Sequence, residues 1–174
     1  MKVKKLFIAS MIALSTLSIS SYAADVEVIS PNESSTSGEH NNHSSGAEII
    51  PFGNNIPTSL WNIRTSGYYT AEFSRVRDYT YTNYYFPTNS NGEIFVRGRV
   101  WELTGMPEEG HYYKIICYDA TTNKAVTEYY SSTSGYGTDV NVRFYNLDTS
   151  RNYYFKIESL SWSEMGGSLR ITHN

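Results

Sequence analysis

An antiparallel two-sheet β-sandwich of about eight or nine strands is the fold this sequence predicts, and three observations carry the prediction. From residue 56 onward aromatic and β-branched side chains dominate, and alanine appears only as Ala71, Ala120 and Ala125. Apolar and polar residues there alternate with a period of two, and no window of ten or more residues holds a helical period without interruption. Clusters of Gly, Asn, Ser and Pro cut the alternating runs into short pieces, as the turns of an all-β domain do.

The first 23 residues stand apart from that domain. Lys2, Lys4 and Lys5 precede an apolar run over residues 6–19, which closes on Ser21-Tyr22-Ala23. A basic start, a short hydrophobic middle and small residues at the end form a secretory signal peptide. A transmembrane helix needs about 20 apolar residues, more than this run supplies. The mature chain is therefore expected to start at Ala24, to be secreted and to carry no membrane span.

Residues 24–55 are rich in Ser, Asn, Gly and Glu and poor in large apolar side chains. Such a stretch buries too little surface to offset its ordering entropy, so it reads as a disordered acidic spacer. Ile49-Ile50-Pro51-Phe52 at its end reads as an apolar clasp on the edge of the sandwich domain, residues 56–174. Strands are expected at 60–64, 68–73, 79–86, 94–100, 112–118, 125–130, 140–144, 153–157 and 169–171. In the clearest of them Val140, Val142 and Phe144 alternate with Asn141 and Arg143. This hydrophobic-in, polar-out pattern belongs to antiparallel sheets packed on one face.

Charge and cysteine content exclude several partners. All 17 acidic residues follow position 23 while three of the 14 basic ones precede it, which leaves 11 bases against 17 acids and a net charge of −6. Nothing in that balance condenses on nucleic acid or on anionic lipid. Cys117 is the single cysteine, so the exported domain has no internal disulfide and relies on its core. A disulfide-free chain rich in Tyr and Asn fits export from a bacterium.

Two segments resemble known sandwiches. Leu147-Asp148-Thr149-Ser150-Arg151-Asn152-Tyr153-Tyr154-Phe155-Lys156-Ile157 is a leucine, a polar turn and an alternating strand opened by tyrosine. It resembles the tyrosine corner of fibronectin type III-like domains, in which a Tyr hydroxyl ties the strand to the turn before it. Tyr84-Tyr85-Phe86, Ile94-Phe95-Val96, residues 113–119, Tyr153-Tyr154-Phe155 and Leu169-Arg170-Ile171 follow one another in an order that resembles bacterial pre-peptidase C-terminal domains. That resemblance spans residues 79–173 and implies a jelly-roll-like module of a secreted protein.

The strongest compositional peculiarity is five Tyr-Tyr pairs, at 68–69, 84–85, 112–113, 129–130 and 153–154. Strand neighbours point to opposite faces, so each pair is expected to send one ring inward and one outward. Outward rings on adjacent strands form platforms with hydroxyl rims, suited to stacking sugars or gripping a protein. The same rings also stabilise a sheet by simple cross-strand contact. Tyr112, Tyr129, Tyr136, Tyr154, Trp101 and Trp162 are the candidate binding residues, together with the loops at 106–109 and 131–137.

Catalysis finds no comparable support. His111 and Cys117 lie six residues apart on one predicted strand, about 20 Å at the usual rise, and cannot form a nucleophile–base pair. Glu39, His40 and His43 are metal-ligand residue types in a flexible segment without fixed geometry, so no metal site is assigned. No pair of carboxylates is singled out for hydrolysis, and no cofactor motif occurs. The sequence reads as a non-enzymatic secreted binding module for a glycan or cell-wall polymer; the competing readings are docking to a surface protein, as an adhesin or antimicrobial-type protein does, and a scaffold whose rings only stabilise its sheets.

Overall fold

The computed structural model describes residues 24–29, 52–103, 111–133 and 136–174. The signal segment, most of the spacer, the loop at 106–109 and residues 134–135 lie outside the described residues, as does the Glu39, His40 and His43 cluster. Among the described residues the alternating runs become eleven strands. They are β1 (Asp25–Val28), β2 (Ser59–Leu60), β3 (Tyr68–Val76), β4 (Tyr79–Tyr81), β5 (Tyr84–Pro87), β6 (Ile94–Glu102), β7 (His111–Asp119), β8 (Lys124–Thr133), β9 (Thr138–Tyr145), β10 (Asn152–Ser159) and β11 (Met165–Thr172).

One sheet runs β1-β9-β6-β11-β3, with every neighbouring pair antiparallel. The other runs β2-β5-β10-β7-β8, with β4 also paired to β10. Its one parallel pair is the two-residue contact of β2 with β5. The inner faces meet in a single core. Val96, Val142, Phe144 and Leu169 from the first sheet face Tyr113, Ile115, Phe155 and Ile157 from the second, and all are at most 1% exposed. Burying side chains of this size contributes about 1.5–3 kcal/mol each, which explains how a domain without disulfides holds together.

The tyrosine corner is present in atomic detail. The Tyr153 hydroxyl accepts the Asp148 backbone N–H at 2.8 Å and lies 3.3 Å from the Asp148 carbonyl oxygen. Burial pushes the Tyr153 phenol up to about 12, so it stays a neutral hydroxyl there. The turn is tied a second time through Asp119, which bonds Arg151 and accepts the Thr121 N–H at 2.7 Å. Burial raises the Asp119 carboxyl, but Arg151 and the amides of Thr121 and Thr122 outweigh it and hold the group below its ordinary value.

Three sequence expectations are corrected. The run at 60–64 is not one strand: β2 ends at Leu60, and Ile63–Ser66 form the short helix α1. Asn62 explains this, because its side chain accepts the Arg64 N–H as an N-cap and Gly67 ends the turn at φ 80°. The run at 79–86 splits at Thr82, whose buried hydroxyl donates to the Tyr84 carbonyl and accepts the Phe155 N–H. Asp25–Val28, assigned by composition to the spacer, form an edge strand on β9. There Glu27 pairs with Arg143, and Tyr145 donates to Asp25 at 2.9 Å.

Candidate functional site

The tyrosine pairs sort as strand geometry requires, with cover deciding which outward rings reach water. Tyr69 and Tyr113 are buried while their neighbours Tyr68 and Tyr112 are exposed. In the 129–130 pair the outward ring is Tyr130, 56% exposed, and it stacks on Tyr112 with centroids 5.8 Å apart. Tyr129 points inward and meets Tyr113 edge-on at 6.4 Å, which removes it from the contact surface the sequence proposed. Tyr154 is removed for a different reason. It faces outward on β10, but Tyr118 stacks on it at 5.2 Å and Tyr81 closes the other side, leaving it 1% exposed. The pair at 84–85 is half-buried on both sides.

The other four candidates lie toward one end of the sandwich, Trp101 on the outer face of the first sheet and Tyr112 on the outer face of the second. β6, β10 and β3 finish, and β7, β9, β4 and β11 begin, at one end of the sandwich, as their registers require. Trp101, Tyr112, Tyr136 and Trp162 all belong to this end. Seven exposed large hydrophobic side chains lie toward this end: Tyr79, Leu103, Tyr112, Tyr130, Tyr136, Leu160 and Trp162. The opposite end and the edges hold fewer, among them Val28, Leu60 and Tyr68. Of the seven, Tyr112 and Tyr130 form one stacked patch on the outer face of the second sheet.

Beside this end lies an open groove of about 980 Å³. Phe52, Phe73, Tyr79, Trp101 and Leu103 give it apolar walls, and Glu72, Arg75, Arg77 and Asp78 line it with charge. Its construction begins with a missing side chain. Trp101 sits opposite Gly166 across the β6–β11 pair, and a Cβ on that glycine would lie 2.8 Å from the indole Nε1. The indole therefore rests on bare backbone. On the other side of β11 the register against β3 slips, so that Met165 faces Val76 but Gly167 faces Phe73. The extra residue makes a β-bulge, and Arg75 takes a left-handed φ of 57° to accommodate it. Phe52 closes the wall edge-on to Phe73 at 5.3 Å, its N–H donated to the Glu72 carbonyl. This is where the one described residue of the predicted clasp docks.

A turn at 160–164 leads from the groove to the exposed aromatics, and His111 anchors it. The His111 ring is buried, with Nε2 3.0 Å from the Ser159 hydroxyl and Nδ1 2.9 Å from the Ser163 hydroxyl. Ser159 Oγ donates onward to the Ser161 carbonyl, so the network places the ring proton on Nε2 and leaves Nδ1 to accept from Ser163. Burial holds the His111 pKa below its ordinary value, against the opposing field of Glu102. The ring is thus a neutral strut with both nitrogens engaged. Cys117 faces the core from the same strand, and burial pushes its thiol well up. Among the described residues no group of three or more His, Cys, Asp or Glu side chains could hold a metal ion.

The groove sets the rings of Phe52, Phe73, Tyr79 and Trp101 beside carboxylates and guanidinium groups. Comparison with known proteins adds little to that geometry. No protein-family profile matches the chain, and no curated protein sequence matches it. Among solved structures it is similar to the C-terminal CBM6 of LamC, a marine laminarinase from Zobellia galactanivorans. The TM-score is 0.37 and the identity 16%, over 59% of this chain and 78% of that one. The sandwich stands on its own strands and registers.

Proposed function

We propose that this chain is a secreted, non-catalytic binding module that takes a glycan at the aromatic end of its sandwich. The observation that carries the reading is the Trp101 indole, laid on Gly166 and lining an open groove with Glu72, Arg75 and Asp78 around it. A sugar ring presents C–H groups to an aromatic face and hydroxyls around its rim. Carboxylates accept from those hydroxyls, and a guanidinium donates to them. The basic, apolar and small-residue pattern of the first 23 residues supports export, where cell-wall and extracellular polymers are met.

Affinity electrophoresis through a panel of soluble polysaccharides, with a pull-down on insoluble peptidoglycan, tests the proposal. At least one polymer is expected to retain the protein, and Trp101→Ala to release it. Gly166→Ala is expected to weaken retention by about tenfold, because the new methyl group lifts the indole off the backbone while the fold survives. Free migration of the wild type through every polymer, or retention that ignores both substitutions, contradicts the reading.

A further inference from the structure

We infer that the ligand is a linear chain of several sugars held at two aromatic stations, one at Trp101 in the groove and one at Trp162 beyond its rim. The inference rests on the glycan reading above and adds the length of the ligand to it.

Trp162 is fully exposed, yet the turn that carries it is pinned throughout. Ser161 Oγ accepts the Tyr112 N–H at 2.9 Å, and Leu160 N–H donates to the Tyr112 carbonyl at 2.8 Å. Ser159 and Ser163 clasp the two nitrogens of His111. A bare indole on a loose loop has to be ordered when it binds. Held on a fixed turn, it meets a ligand with that entropy already lost in folding.

The two stations share one rim. Glu164 binds the Arg77 guanidinium at 2.8 Å, and its carbonyl accepts the Leu103 N–H at 2.7 Å. Arg77 and Leu103 both line the groove. Trp101 lies two residues from Leu103, and Trp162 two residues from Glu164, so each is within about 7 Å of chain from this junction. Arg77 and Glu164 neutralise one another where the ligand crosses, which suits an uncharged sugar chain. A ligand that reaches both rings gains from the second as an intramolecular contact, and one that reaches only Trp101 does not.

Calorimetric titration with defined oligosaccharides of two, four and six sugars, from the cellulose, chitin and xylan series, reads this directly. In the series that binds, affinity is expected to climb about tenfold or more from the shortest to the longest member. Trp162→Ala is expected to flatten the climb and keep the affinity of the shortest sugar. Because this side chain touches no core, an unchanged far-ultraviolet circular dichroism spectrum will certify the variant. Trp101→Ala is expected to remove binding at every length. A climb that persists without Trp162, or a wild type indifferent to length, overturns the two-station inference and leaves a Trp101-dependent glycan site standing. If no member of any series binds, the two-station inference falls, and the glycan reading stands or falls with the polymer panel above.

Discussion

His111 shows how much one side chain organises at the aromatic end. Its two nitrogens join Ser159, the last residue of β10, to Ser163 in the turn before β11. Burial lowers its pKa below the ordinary 6.5, so the unfolded chain takes up the proton before the folded one does. Stability from this residue is therefore complete above about pH 6.5 and falls as the pH drops below it. Urea midpoints measured between pH 7.5 and 5 are expected to decline more steeply for the wild type than for His111→Gln, which cannot protonate. Parallel declines would contradict the assignment. Residue-scale outcomes were only half legible beforehand. Alternation correctly implies that Tyr112 and Tyr113 part company. It cannot say that Tyr118 and Tyr81 roof Tyr154, because that depends on which strands become neighbours.

Among the elements, the corner before β10 was the most legible and the strand on β9 the least. Leucine, a polar turn and a strand-opening tyrosine are a local pattern, and the Tyr153 hydroxyl does meet Asp148. Tyr153→Phe is expected to cost about 1 kcal/mol, one net hydrogen bond, with an unchanged denaturant slope. A loss within error of zero would show that the contact is incidental. Asp25-Val26-Glu27-Val28 alternates too, but it sits in a segment whose average composition resembles a spacer. Four residues that pair with β9 through Glu27 and Asp25 are invisible to an average over thirty. Likewise Asn62 announces a helix cap only to a reading that weighs one polar residue above the β-prone residues around it.

For the whole molecule, the sandwich followed from period-two burial, which is a property of the sequence. The site followed from the way the strands are laid side by side, which is not. Trp101, Tyr112, Tyr136 and Trp162 are scattered over some sixty residues and reach one end only because β6, β10 and β3 end where β7, β9 and β11 begin. In the sequence Gly166 is one more glycine interrupting the alternation, and in the fold it lies within β11 as the bed of the Trp101 indole. The same arrangement supplies its own control. Trp61, the remaining tryptophan, donates its indole N–H to the Tyr68 carbonyl at 3.1 Å and packs among Tyr69 and Tyr84, away from the groove.

Nuclear magnetic resonance of the three indole N–H groups during titration with a retained polysaccharide's oligomer tests the central claim most directly. The Trp101 and Trp162 signals are expected to move with sugar concentration while the Trp61 signal stays in place. Saturating sugar that leaves all three unmoved, or that shifts Trp61 alone, would contradict a glycan site at this end of the sandwich.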